Sequence, residues 1–285
     1  MRPLRSLIPA VALLACTFAG VQVGAETLIT IARPASAPVL DGELGDWQSI
    51  APIRIPLVNS KPDGRSDVAE IELRAAVHGE RVYLALRWKD ASHDAEHRPF
   101  VWDDAAGRYR GSDAYEDRIA IQFGMSGDYS ADWLSGQAFT ADMWHWKAHR
   151  SNSLGLVHDK RTIVSRNAIA KAYKATARDG GELYIARPSD EGTPLYSTLR
   201  HVEREADKMP RYQLAEKVSG SIADVRARGV WADGYWTVEI ERALDTGHAD
   251  DVRFVPGQRV AAGIAVFNAT GNDDHNVSET LSFQF

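Results

Sequence analysis

The stretch Asp142-Met143-Trp144-His145-Trp146-Lys147-Ala148 packs two indoles, an imidazole, an ammonium and a thioether into seven residues. In a strand, successive side chains point to opposite faces. Trp144, Trp146 and Ala148 then share one side, while His145, Lys147 and His149 share the other, with Met143 pointing the same way as His145. One face suits a wall for a flat apolar ligand, and the other presents ligating and charged groups. A segment of this kind constrains the fold, because its two faces need different surroundings.

Strand signals recur along the whole chain, as short β-branched or aromatic runs bounded by Gly, Asp and Asn. They predict strands at Ile53–Leu57, Ile71–His78, Arg81–Lys89, Arg118–Phe123 and Asp142–His149. Further strands are expected at Gly181–Ala186, Gly220–Arg228, Tyr235–Ala243, Arg259–Asn268 and Glu279–Phe285. His78-Gly79-Glu80 and Ala232-Asp233-Gly234 read as hairpin turns. Ala168–Arg178 is the one stretch expected to form a short helix, and Val202–Lys208 reads as a solvated turn. Many short strands with turns between them predict an all-β fold, an antiparallel β-sandwich with long loops and few short helices. The loops Lys89–Tyr115 and Gly124–Ala141 exceed the usual connection length and are candidates for a functional rim.

Residues 1–25 open with two arginines, continue through the apolar Leu7-Ile8-Pro9-Ala10-Val11-Ala12-Leu13-Leu14-Ala15 and end in small residues. That is the anatomy of a secretory signal, too short for a membrane span, and it predicts export to a periplasm or beyond. Leu13-Leu14-Ala15-Cys16 also approximates a lipobox, which leaves a lipid anchor at Cys16 as the alternative. Cys16 is the only cysteine, so cleavage after Ala25 excludes disulfides, thiolate metal sites and covalent haem attachment through Cys-x-x-Cys-His. Loss of Arg2 and Arg5 takes the net charge from -6 to -8. So acidic a chain suits a basic partner protein and argues against nucleic acid. No linker, low-complexity tract or repeat divides residues 26–285, which read as a single domain.

The segment Pro38-Val39-Leu40-Asp41-Gly42-Glu43-Leu44-Gly45-Asp46-Trp47 is read as a turn that lets Trp47 plug one end of the sandwich. It resembles the start of the sandwich shared by family-nine carbohydrate-binding modules and the haem-binding subunits of ethylbenzene dehydrogenase-like enzymes. Val82 to Asp90 fits both groups. Glu116 to Phe123, then Asp142 to Arg150 with Gly155 and Asp159 beyond, look like the haem-binding domain of cytochrome c-552 and DMSO reductase-like complexes, the ethylbenzene dehydrogenase gamma-subunit type. Tyr235 to Leu244, and Ala265-Val266-Phe267-Asn268 leading to Asp274-His275-Asn276-Val277-Ser278, continue that resemblance over nearly all of the mature chain. Its most specific piece is Trp144-His145-Trp146-Lys147-Ala148.

The resemblance implies a non-covalent haem b and an electron-transfer role beside a redox partner or catalytic subunit such as a molybdoenzyme. One branch of the family attaches haem through loop cysteines, which this chain lacks; the other ligates haem b with a methionine and a lysine. His275 falls where that second branch has its lysine, and imidazole is a competent iron ligand, so His275 is the first axial candidate. For the opposite position Met125, His145 and Met143 stay open, as does the absence of a second protein ligand. Lys147 and Arg150 are candidates to pair with haem propionates, and Trp144 and Trp146 are candidates to line the haem pocket.

Rival readings remain. His93 and His97 have a spacing that suits a metal if helical, but they sit in a polar loop where solvent exposure is the better account. Asp273-Asp274 reads as a turn before a calcium site. Exposed Trp102, Trp133 and Trp144 would suit a carbohydrate-binding module, and a haem-less structural subunit of the same family is the third possibility. The chain holds no Gly-x-Ser-x-Gly elbow, phosphate loop or dinucleotide fingerprint, so an electron-transfer module is expected in place of an enzyme.

Overall fold

The computed structural model describes residues 27–285; the expected leader and Cys16 lie outside the described residues. The larger of two facing sheets runs in space through Thr27–Thr30, Leu281–Gln284, Arg259–Phe267, Arg118–Gly127, Phe139–Lys147, His158–Ser165, Glu182–Ala186 and Tyr173–Thr176. The smaller orders Arg226–Ala232, Tyr235–Ala243, Arg81–Lys89, Glu70–His78 and Ile53–Pro56. Neighbours pair antiparallel except at one edge, where Thr27–Thr30 runs parallel to Leu281–Gln284. This is the all-β sandwich that the strand pattern predicts. Among the described residues, no helix is long and apolar enough to cross a membrane.

The turns explain the pairings. Asp233 and Gly234 have φ of 52° and 77°, two successive left-handed residues that match the twist of the strands they join. The hairpin sets Trp236 opposite Trp231, and on its other side Trp236 pairs with Trp88.

Several sequence expectations are corrected. Ala168–Arg178 is not helical: Tyr173–Thr176 pairs with Glu182–Ile185 at the edge of the larger sheet, where tyrosine and threonine fit the pleat. Gly220–Arg228 is not one strand but a 3-10 turn at Ser221–Ala223 followed by Arg226–Ala232. Trp47 does not plug an end. It lies over Ala76, Tyr83 and Ala85 on the outer face of the smaller sheet, and its indole donates to Glu239 Oε1 at 2.6 Å.

The core between the sheets holds Ile119, Ile121, Phe123, Trp144 and Trp146 from one side against Leu84, Leu86, Trp88, Trp236 and Val238 from the other. Three indoles meet in its middle. Trp146 stands edge-on to Trp236 at 5.0 Å and to Trp88 at 6.4 Å, while Trp88 stacks on Trp236. Trp146 also donates to Asn152 Oδ1 at 3.1 Å, and Asn152 in turn bonds both backbone groups of Gly229. The indole lies so close to Gly229 that a Cβ there would come within 2.2 Å of Cζ2.

Gly229→Ala is therefore expected to destabilise the protein by about 1–3 kcal/mol through overpacking. Urea unfolding checks this, and a midpoint equal to wild type would mean that Trp146 has room to move.

Candidate functional site

With Trp144 and Trp146 turned into the core, the alternate residues of the same strand face outward, and the register aligns them across four strands. Phe267, Arg118 and Lys147 form one row. Ala265, Ala120, His145 and His158 form the next, and Gly263, Gln122, Met143 and Lys160 the third. This grid is the floor of two adjoining cavities of about 560 and 580 Å³, which share His145, Arg187 and Asn272. Residues 129–134 cover the apolar side and pack Tyr129 and Trp133 against Phe139 and Ile185. The long 124–141 segment is thus a rim, whereas no residue of Lys89–Tyr115 lines either cavity. That segment instead builds a small sheet from Phe100–Asp103, Arg108–Gly111 and Lys208–Met209.

The apolar cavity brings His275, His145 and Met143 together. His275 enters on the turn before Asn276, which pairs with Val266, and its ring lies 4.7 Å from Phe267. His145 stacks on the same phenyl ring at 5.6 Å. Burial and the nearby Arg118 and Arg187 bring the His275 imidazole down to about 4, so it is neutral at neutral pH. Burial, aided by Lys147 and Arg118, holds His145 well below its usual range too. The His145 Nε2 is buried and has no hydrogen-bond partner. A buried neutral imidazole with a free nitrogen at a largely apolar cavity has the chemistry of a metal or haem ligand.

The second cavity is cationic. Arg118, Lys147, Arg150, Lys160, Lys171 and Arg187 line it, and no aspartate or glutamate does. Arg150 is paired with Glu116 behind the wall. Arg118 is fully buried, yet its guanidinium donates only to neutral oxygens, those of Asn272, Thr270 and Gly271. Burial lowers it to about 10, which leaves it charged. Lys147 donates to His158 Nδ1 at 2.6 Å and to the Tyr196 hydroxyl at 3.0 Å, while His158 Nε2 donates to Ser189. Burial and Arg150 depress the Lys147 ammonium well below its ordinary value. Cations gathered without carboxylates are unfavourable unless an anion joins them.

Other expected residues lie elsewhere. Met125 sits at a bulge between Gly124 and Ser126 and packs against the inter-sheet core, so it joins neither cavity. Trp144 and Trp146 are fully buried between the sheets and line neither cavity. Trp144 likewise cannot share an exposed platform with Trp102 and Trp133; Trp102 belongs to the small separate sheet. His93 stacks on Trp231 while His97 packs on Tyr115 and Tyr212, so the two imidazoles share no site. Asp274 accepts from the backbone of Arg65 and Ser66, as a turn requires. His158, Lys160 and Arg187 escaped the sequence reading. The His158–Ser165 strand is polar on both faces at its start and so lacks an apolar period.

A family model described as ethylbenzene dehydrogenase matches residues 45–278, from the approach to Trp47 through the His275 turn. The chain belongs to the ethylbenzene dehydrogenase family. No curated protein matches. Among solved structures, this ethylbenzene dehydrogenase family member aligns with a family 9 carbohydrate-binding module from Caldicellulosiruptor kristjanssonii in complex with glucose. That alignment has 10% identity and a TM-score of 0.38, over 90% of this chain and 85% of the other. The same module in complex with cellotriose gives 10% identity and 0.39, over 90% and 84%. A Bacteroides uniformis protein described as carbohydrate-binding gives 10% identity and 0.40, over 91% and 100%.

Burial, Arg187 and Arg150 bring the Lys160 ammonium down to about 8. Its folded pKa lies below the unfolded one, so its neutral form is favoured by folding: stability is gained as pH rises from about 8 to 10.5 and absent below that window. The ligand-free protein is expected to gain up to about 3 kcal/mol over that range. Comparing denaturation midpoints with Lys160→Met checks this, because the variant's profile should be flatter; identical profiles would refute it.

Proposed function

We propose that this ethylbenzene dehydrogenase family member is an exported electron-transfer protein or subunit that binds one haem b non-covalently and serves a redox partner, such as the catalytic subunit of a molybdoenzyme. The observation that carries the reading is the pairing of a carboxylate-free cationic cavity with an adjoining apolar one that holds two neutral imidazoles. Haem b has those two halves, an apolar macrocycle around iron and two propionates. A neutral sugar has no use for so many cations, which weighs against the carbohydrate reading.

In this proposal His275 would ligate the haem iron, with His145 or Met143 as the candidate for a second ligand. Met125 is not retained, because its side chain faces the core. Arg118, Lys160 and Arg187, with Lys147 behind them, hold the propionates through charge-assisted hydrogen bonds. Trp144 and Trp146 support the floor from beneath and do not touch the haem. When bound, haem supplies a one-electron redox centre, and the protein sets its potential through ligands, burial and hydrogen bonds. The partner acts on the substrate, and this chain is not itself catalytic.

Protein purified from haem-sufficient cells is expected to show a Soret band and reducible α and β bands, with a pyridine haemochrome of the b type. His275→Ala should abolish or shift that spectrum, and so should whichever of His145→Ala and Met143→Ala removes the second ligand. A His275→Ala spectrum identical to wild type would sink the axial assignment. A colourless wild type that also fails to take up added haem would sink the whole reading.

Arg187 borders both cavities and makes no ion pair among the described residues. Arg187→Gln is expected to weaken haem binding about tenfold, the worth of one charge-assisted hydrogen bond of about 1.4 kcal/mol. Haem titration followed at the Soret band measures it, and an unchanged dissociation constant would remove Arg187 from the propionate site.

A further inference from the structure

The two strands that carry His145 and His158 on their outer face hold a second polar cluster on their inner face. Asp142 and Asp159 point inward beside Trp144, and Asp190 and Asp251 join them from loops. The four are 0, 0, 5 and 7% exposed, respectively. Oxygens of Asp142, Asp159 and Asp251 all lie within 4.8 Å of one another. Asp190 is held next to Asp159 by its amide, which donates to the Asp159 carbonyl.

Three of these carboxyls are anchored by one oxygen, which leaves the other free. Asp142 Oδ2 accepts from Arg242 Nη1 at 2.6 Å and from the Val252 amide at 3.1 Å. Asp159 Oδ1 accepts from the Lys160 amide, and Asp251 Oδ2 from the Thr246 hydroxyl. The remaining oxygens, Asp142 Oδ1, Asp159 Oδ2, Asp251 Oδ1 and both of Asp190, are buried without any hydrogen-bond partner. These are unpartnered acceptors, and those of Asp142, Asp159 and Asp251 belong to carboxyls that meet within 4.8 Å, with Asp190 beside Asp159.

Charge completes the argument. Arg242 pairs with Asp142, Arg161 lies 3.8 Å from Asp190 and His248 lies 3.8 Å from Asp251, so four ionised carboxylates would outnumber the cations facing them by at least one. Buried carboxylates in that position must either share protons or take a cation. All the donors are hard oxygens, with no nitrogen or sulfur among them, which selects calcium or magnesium over zinc. Free oxygens on two strands and two loops suit the larger ion, since calcium accepts irregular oxygen ligation while magnesium demands a tight octahedron and keeps its water.

We propose that Asp142, Asp159, Asp190 and Asp251 bind one calcium ion, which ties the Phe139–Lys147 and His158–Ser165 strands to the loops at Asp190 and Asp251, behind the cavity floor. The site is independent of haem binding. The full chain is stripped with a chelator and melted with and without calcium chloride. At a hundredfold excess over its dissociation constant, calcium should raise the melting temperature by roughly 5–10 °C. Elemental analysis should find one calcium per chain, and magnesium should give a smaller shift.

Asp159→Asn keeps the shape but removes the charge and is expected to abolish the calcium response. If the carboxyls share protons instead, Asp159→Asn will melt at or above the wild-type temperature and neither protein will respond to calcium, which overturns the proposal. Asp251→Asn, nearer the surface, serves as the second variant and should weaken calcium binding at least tenfold. A chelated wild type that gains nothing from calcium overturns the proposal whichever variants fold.

Discussion

The contact between Trp146, Trp236 and Trp88 in the middle of the sandwich sets the face on which everything else appears. Trp146 is held at its ring by two other indoles, at its N–H by Asn152, and along its edge by the bare backbone of Gly229. A strand has period two, so a one-residue slip would exchange its faces. Such a slip would bury His145 and Lys147 in the core and expose both tryptophans. Because the indole triad resists it, packing in the core fixes the outward face of Met143, His145 and Lys147.

The same strand pair also separates charge. Its outer face gathers Lys147, Lys160, Arg118 and two imidazoles held neutral by burial and by those cations. Its inner face gathers Asp142 and Asp159, with Arg242 hydrogen-bonded to Asp142. Neither group neutralises the other, because the backbone sheet stands between them. On a chain of net charge -6, a carboxylate-free cationic cavity is an arrangement that overall composition would not suggest. Both faces hold more like charge than a buried site tolerates alone, and both are therefore places where a ligand of the opposite sign is stabilised.

Legibility in the sequence followed local pattern. Arg81–Lys89 and Tyr235–Ala243 are seen at the bounds read from the residues, because each is a β-prone run that starts directly after a Gly-containing turn, although both strands prove buried on both faces. Trp144 and Trp146 could be placed opposite His145 and Lys147 because side chains alternate along a strand. His158–Ser165 could not be found, since His158, Asp159, Lys160 and Arg161 give a polar residue to each face in turn. Met125 was unreadable in a different way. A bulge at Gly124 to Ser126 breaks the alternation, and a bulge depends on the partner strand. Trp47 announced a large buried side chain but not which layer it would cover, and the outer face of the smaller sheet was set by Glu239, almost two hundred residues away.

The sequence by itself determined the all-β class, the hairpins at Gly79 and Gly234, the division of Asp142–Ala148 into an indole face and an ionisable face, and membership of a recognisable family. Only the tertiary structure decided that His145, His275 and Met143 meet, that Met125 does not join them, that the cations of five separate segments line one cavity, and that Asp142, Asp159 and Asp251 converge behind it. Local pattern settles where a side chain points relative to its own strand, because that depends on backbone pleat alone. Which side chains then become neighbours depends on register and sheet order, and those are set by packing between residues far apart in the chain.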